Sequence, residues 1–199
     1  MVEKIIIKEA KQGNQEAFEK LITAYERIVY NIAYRMFNNE EDAKDMAQEV
    51  FIKVYRNLDK FDEEAKFSTW LHRITVNTCI DEIRKRKGKE TSSINELMEL
   101  DDGEVGKQYA SDEATPEEKV VSKEKIKDLE SAIESLCEKH KTLIILRDIQ
   151  GLSYEEITRI TGSNLGTVKS RISRARLNLR NIIMKNEELY SEFKRLKDN

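Results

Sequence analysis

Apolar residues along this chain recur at intervals of three and four, so the predicted elements are helices rather than strands. Asn14 can cap a helix whose first turn holds Glu16. Phe18, Leu21, Ile22, Tyr25, Ile28, Val29, Ile32, Ala33 and Met36 then keep helical spacing until Asn38-Asn39 breaks it. A second helix is expected from Glu40 to Leu58, with Met46, Ala47, Val50 and Val54 on its buried side. A short loop, Asp59 to Phe67, leads to Ser68, the expected N-cap of a helix reaching Lys87. Its apolar residues take two sides, Trp70, Leu71 and Ile74 on one, Val76, Ile80 and Ile83 on the other.

The C-terminal part continues the pattern. Ile126, Leu129, Ile133 and Leu136 mark one helix, and Lys141 to Asp148 another that Gly151 ends. Ser153 and Glu156 form a capping box for a helix that buries Ile157 and Ile160 and stops at Gly162. After the turn Ser163-Asn164-Leu165-Gly166, Thr167 is the expected cap of a last helix, with Val168, Ile172, Ala175 and Leu179 facing inward. Two short helices joined by such a turn read as a helix-turn-helix.

Composition narrows the class. With 7 Gly and 1 Pro in 199 residues, collagen-like, Pro-rich and hairpin-rich architectures are excluded. Charged residues make up 37% and hydrophobic ones 39%, which suits two small helical cores better than one large one. Charge divides the chain further. Residues 1–88 hold 16 basic and 16 acidic side chains, residues 89–122 hold 3 and 10, and residues 123–199 hold 16 and 12. The middle stretch has little apolar periodicity and the only proline, Pro116, so it reads as a flexible acidic linker. The expected organisation is all-α: two small helical domains, 1–88 and 123–199, the second a helix-turn-helix, joined by a linker over 89–122.

The longest apolar runs, Ile5-Ile6-Ile7 and Leu143-Ile144-Ile145-Leu146, are too short to span a bilayer, and Glu3 and Lys4 do not fit a signal peptide. A soluble, cytoplasmic protein is expected. Cys79 and Cys137 are isolated, and His72 and His140 have no helical partner for a metal. Phosphate-binding and nucleophile motifs are missing. The chain is therefore expected to be no enzyme, with no cofactor, metal or small-molecule substrate.

Three faces carry candidate chemistry. On the Glu40–Leu58 helix, Asp45, Gln48, Glu49, Ile52 and Arg56 share one stripe, either a contact surface for a basic partner or a solvated charged face. On the next helix Arg73, Asn77 and Arg84 align with Trp70 close by. Cations near its C-terminus satisfy the helix dipole, and cations, an amide and an aromatic ring on one stripe also suit single-stranded nucleic acid. The last helix has five cations and no acid from Val168 to Arg180. Lys169, Ser170, Ser173 and Arg174 oppose its apolar side, with Arg171 and Arg176 flanking. That is the arrangement of a recognition helix, so DNA binding is expected.

These stretches resemble a family. Gly13-Asn14-Gln15-Glu16-Ala17-Phe18, Asp45-Met46-Ala47-Gln48-Glu49-Val50-Phe51, Phe67-Ser68-Thr69-Trp70-Leu71-His72-Arg73-Ile74, Gly151-Leu152-Ser153-Tyr154-Glu155-Glu156-Ile157 and Gly166-Thr167-Val168-Lys169-Ser170-Arg171-Ile172 look like those of bacterial extracytoplasmic-function (ECF) RNA polymerase sigma factors. They span residues 10 to 180 in the family's order. The resemblance implies a sigma factor that binds core RNA polymerase and directs promoter-specific initiation, touching the β′ coiled coil and the β flap. It implies that Asp45, Gln48, Glu49 and Ile52 bind β′. The loop from Phe61 to Phe67, with Trp70, Arg73, Asn77 and Arg84, would bind and help melt the −10 element, Asn77 and the loop receiving a base flipped from the non-template strand. Lys169, Ser170, Arg171, Ser173, Arg174 and Arg176 would bind the −35 element. Lys169 stands where relatives often have Arg, and Ser173 where some carry an aromatic ring. An anti-sigma factor, often membrane-anchored, is the implied regulator, and residues 186–199 would cap the domain or bind it. The competing reading is a stand-alone helix-turn-helix regulator whose first domain senses a ligand or dimerises.

Overall fold

The computed structural model describes residues 2–90 and 123–197 of the chain, so most of the expected linker lies outside the described residues. Eight α-helices are described, with no strand among them. They are α1 (Val2–Lys11), α2 (Gln15–Phe37), α3 (Glu40–Asn57), α4 (Phe67–Glu90), α5 (Lys123–Glu134), α6 (Glu138–Ile144), α7 (Tyr154–Thr161) and α8 (Leu165–Lys197). A 3-10 turn, Leu58–Lys60, follows α3, and a π-turn, Ile145–Ile149, follows α6.

Local chemistry sets most boundaries. The Asn14 side chain accepts from the Ala17 N–H, as its sequence position predicts. Asn38 and Asn39 divide the labour of a break: Asn38 ends α2 in the left-handed conformation (φ 52°), and the Asn39 side chain opens α3 by accepting from Asp42 N–H. The Ser153/Glu156 capping box is present in both directions, and Gly162 ends α7 at φ 67°. Two expected caps move. α4 already includes Phe67, so Ser68 lies inside it, where its carbonyl faces the His72 ring. The cap of α8 is Asn164, whose Oδ1 accepts from the N–H of Thr167, three residues on, at 2.8 Å; the helix already starts at Leu165, so Thr167 lies inside it. Helix α1 was not anticipated, although Ile7 and Ala10 of that segment are buried at helical spacing.

The cores explain the two-sided pattern of α4. Leu71, with Trp70 and Ile74 beside it, joins Ile7, Leu21, Val50, Val54, Phe61 and Phe67 in the core of the first domain. Val76 and Cys79, with Ile80 and Ile83, instead join Ile32 and Met36 in a cluster containing Leu143, Leu146, Ile157, Ile160 and Ile172 of the second domain. The two domains therefore share a continuous apolar core, where two separate ones were expected. Full burial of one such aliphatic side chain is worth about 1.5–3 kcal/mol.

Polar links ring this shared core. Arg35 pairs with Glu130 at 2.7 Å, Lys66 with Glu156 at 2.9 Å and Arg84 with Glu138 at 3.5 Å. Asn38 donates to Glu134 at 2.8 Å. The buried Lys141 ammonium donates to the Met36 carbonyl at 2.8 Å, one of the acceptors that the end of α2 leaves unsatisfied. Burial pushes the Lys141 pKa down, as expected for a cation withdrawn from water.

Candidate nucleic-acid interface

The acidic stripe of α3 stays outside the shared core. Asp45 and Gln48 are exposed, Glu49 lies 3.9 Å from Lys53, and Ile52 is 37% exposed. Tyr55, 56% exposed and edge-on to Phe18 at 5.0 Å, extends the stripe. Its place three residues after Ile52 was a signal that the sequence reading left unused.

The loop before α4 is built from below. Phe61 and Phe67, at its two ends, are 4% and 3% exposed, and their rings meet at 5.4 Å. Trp70 closes the cluster, 5.1 Å from Phe61 and 5.6 Å from Phe67. Phe61 and Phe67 were expected on the DNA side; the structure puts both in the core, because aromatic burial outweighs exposure at the ends of a short loop. They position the loop; Trp70 is the most exposed of the three, and Phe61 keeps only a small edge toward the groove above. Lys11 ties the loop to α1, donating to the Phe61 carbonyl at 3.0 Å and pairing with Glu63 at 3.1 Å.

Above this cluster lie two adjoining grooves. One, of about 660 Å³, is lined by Phe61 and Trp70, by the cations Lys60, Lys66 and Arg73, and by the carboxylates Asp62 and Glu64 of the loop. The other, of about 360 Å³, is lined by Lys60, Trp70, Arg73 and Asn77, with Asp81 at its end. Cations, an amide and a ring thus converge in a concave site of ligand-binding size. Arg84 does not join them. It shares their helix face by spacing, but in the closed arrangement it turns to Glu138 of the second domain. Arg159 of α7 also lines the larger groove, so the second domain borders this site.

The face of α8 is convex. Lys169, Ser170, Ser173 and Arg176 are exposed, and Arg171 and Arg174 are half-buried. The Lys169 ammonium lies 5.7 Å from the Tyr154 ring centre, with the Arg147 guanidinium 4.6 Å from the same ring. The Ser170 hydroxyl donates back to the Thr167 carbonyl at 3.1 Å. Arg176 forks onto Asp148 of the π-turn, its Nε 3.2 Å from one carboxylate oxygen and a second nitrogen on the other. Hydrogen bonding to Asp148 holds the Arg176 pKa above its usual value. Expected as a phosphate contact, Arg176 is here a strut between α8 and the π-turn, since a carboxylate from another helix reaches it first. The side chains of residues 186–197 lie outside those described, so the expected role of this tail as a cap or regulator contact does too. Among the described residues no group of His, Cys, Asp and Glu could hold a metal ion.

Comparison with known proteins gives these faces a common origin. Residues 21–89 match the family described as Sigma-70 region 2, and residues 126–179 match Sigma-70, region 4. The first match covers α2 to α4, the second the helix-turn-helix, in the order expected of one polypeptide. The chain belongs to the ECF RNA polymerase sigma factors. It is 41% identical over 174 residues to the ECF RNA polymerase sigma factor SigW of Bacillus subtilis, covering 87% of this chain and 92% of that one. It is 36% identical over 176 residues to the ECF RNA polymerase sigma-E factor of Escherichia coli, covering 88% and 91%. Among solved structures, the sigma factor RpoE in complex with the anti-sigma factor NepR from Bartonella quintana superposes with a TM-score of 0.63 at 25% identity, over 84% of this chain and 96% of that one. CnrH in complex with the cytosolic domain of CnrY shares the fold, with a TM-score of 0.67 at 23% identity, over 93% and 99%. As an ECF sigma factor the protein acts with core RNA polymerase on promoter DNA and directs promoter-specific transcription initiation. The region 2 match removes the stand-alone regulator reading, because that half is a polymerase-specificity module rather than a sensor. No described helix is long and apolar enough to cross a membrane.

Proposed function

We propose that this ECF sigma factor divides promoter recognition between its two domains and docks on polymerase through α3. The Asp45, Gln48, Glu49 and Ile52 stripe, widened by Tyr55, binds the basic β′ coiled coil, and the second domain engages the β flap. The paired grooves take the unwound −10 strand, a base stacking near Trp70 while Arg73 and Lys60 meet phosphates and Asn77 hydrogen-bonds a base edge. Lys169, Ser170, Ser173 and Arg174 read the −35 element in the major groove, with Arg171 on phosphate. The reading assigns no catalysis to the chain; its work is binding and melting. An anti-sigma factor is its regulator, as NepR is for the Bartonella quintana relative, and that regulator's own anchor would hold the pair at the membrane.

The observation that carries this reading is the convergence of Trp70, Arg73, Asn77 and Lys60 on adjoining grooves. The closed arrangement adds a requirement. The two promoter elements lie about 25 base pairs apart, or about 85 Å along B-DNA. Arg159 of the second domain lines the same groove as Trp70 of the first. Domains in such contact cannot hold both elements at once, so initiation requires them to separate. Run-off transcription with sigma-free core polymerase on a genomic promoter library tests the reading. Specific transcripts that need the added protein are expected, and their upstream sequences would align at both elements. No transcript, with DNA footprinted by the protein alone, would refute it.

A further inference from the structure

We infer that Lys66 is an additional −10 contact, one that Glu156 of the second domain keeps occupied while the domains are closed. The inference rests on the proposed role of the α4 grooves. Lys66 lines the larger groove, with Trp70 and Arg73, on the loop whose ends Phe61 and Phe67 anchor. Its ammonium is 2.9 Å from a Glu156 carboxylate oxygen, across the domain boundary. The two partners differ in kind. The Lys66 side chain is 67% exposed, so it can swing from one anion to another, whereas that of Glu156 is 20% exposed. Glu156 is also fixed by its own capping box, accepting from the Ser153 N–H at 3.0 Å and hydroxyl at 2.9 Å.

Glu156 is therefore a rigid, permanently ionised group set against a mobile cation. Its pKa is pulled down to about 2 by the Lys66 ammonium first and the Ser153 donors next. A carboxylate held against a groove cation occupies the place of a phosphate. Surface pairs of this kind are weak, so the exchange of Glu156 for a DNA phosphate needs little beyond domain separation. When the domains part, Glu156 leaves with α7 and Lys66 stays at the groove. Separation thus places the domains to span the promoter and adds a cation to the −10 site in one step.

The test uses the full-length protein and a single-stranded oligonucleotide carrying the non-template −10 strand of a promoter that the wild-type holoenzyme transcribes. That transcription is the gate: its failure would count against the sigma-factor roles, not against Lys66. In the holoenzyme, Lys66→Gln is expected to weaken oligonucleotide binding about fivefold and to lower the log–log salt slope by about 0.7, the loss of one single-strand phosphate contact. Lys66→Arg should restore both. In the free protein, Glu156→Gln, which keeps the capping box but removes the charge, is expected to strengthen binding several-fold. That gain should vanish when Lys66→Gln is added. An independent readout is acetylation of the Lys66 amine: slow in the free protein, fast in DNA-free holoenzyme, slow again on promoter DNA. Unchanged affinity and salt slope in the Lys66→Gln holoenzyme would overturn the contact. A Glu156→Gln gain that survives without Lys66, or equal acetylation in free protein and DNA-free holoenzyme, would overturn the masking.

Discussion

The two faces proposed to meet DNA are made differently. The face on α8 is a property of one helix: Lys169, Ser170 and Ser173 are exposed because Val168 and Ile172 are buried, and periodicity alone decides both. The face on α4 is a property of the fold. Its grooves exist because Phe61, Phe67 and Trp70 lock a loop against the start of the helix and Lys11 of α1 holds that loop from the other side. A convex helix suits an intact duplex, whose major groove admits it. A concave, ring-lined site suits bases that have left the stack. Reading a duplex and holding a melted strand thus place different demands on the chain, one local and one tertiary.

Trp70→Ala removes the ring that lines both grooves, and stacking of one base is worth about 1–3 kcal/mol. A loss of at least tenfold in run-off transcription from duplex promoters is expected, with much of it recovered on templates opened in advance across the −10 element. Equal loss on both templates would place Trp70 in stability rather than melting. Lys169→Ala should remove up to about 2 kcal/mol of discrimination at one −35 position. Gel-shift of the holoenzyme against single-base −35 variants should show that position become neutral while −10 preferences stay fixed.

Smaller effects sharpen the picture. Asp148→Asn releases Arg176 from a half-exposed pair of a class worth about 0.5 kcal/mol. A drop of that order in stability by denaturant unfolding is expected, with a modest rise in holoenzyme affinity for non-specific duplex DNA at low salt. His72 gives the smallest effect. Burial lowers its pKa, partly offset by the Ser68 carbonyl and the Glu156 charge. A buried histidine with a folded pKa below its unfolded value near 6.5 contributes full stability above about that pH. As pH falls from there toward the depressed folded value, the unfolded chain takes the proton first and stability declines, levelling off once the folded chain is protonated too. Melting temperature should therefore fall from pH 7 to pH 5.5, and His72→Gln should flatten that fall.

How far the sequence could be read follows the same division. The capping box at Ser153, the Gly162 stop and the inward face of α8 were legible because each depends on residues within a few positions of one another. The two apolar sides of α4 were legible as well, but not what covers the second one: Leu146 and Ile157 come from beyond the linker. Arg84 and Arg176 each have a partner that spacing does not reveal. A cation on an exposed stripe reads as free until the fold brings Glu138 or Asp148 alongside. Phe61 and Phe67 misled in the opposite sense, since aromatic residues beside a DNA-facing loop look available until their packing is known. Spacing gave the three faces and the family resemblance their expected roles; the closed arrangement came only with the structure.

Domain separation is the central claim, and a distance measures it. With Cys137 replaced by Ser and Cys79 buried, Glu64→Cys and Thr161→Cys give two exposed labelling points, one in each domain. Energy transfer between them should report a short distance in the free protein. In transcriptionally active holoenzyme on promoter DNA it should lengthen by tens of ångströms, toward the scale of about 85 Å set by 25 base pairs of B-DNA. The same short distance in a holoenzyme that initiates transcription would contradict the account.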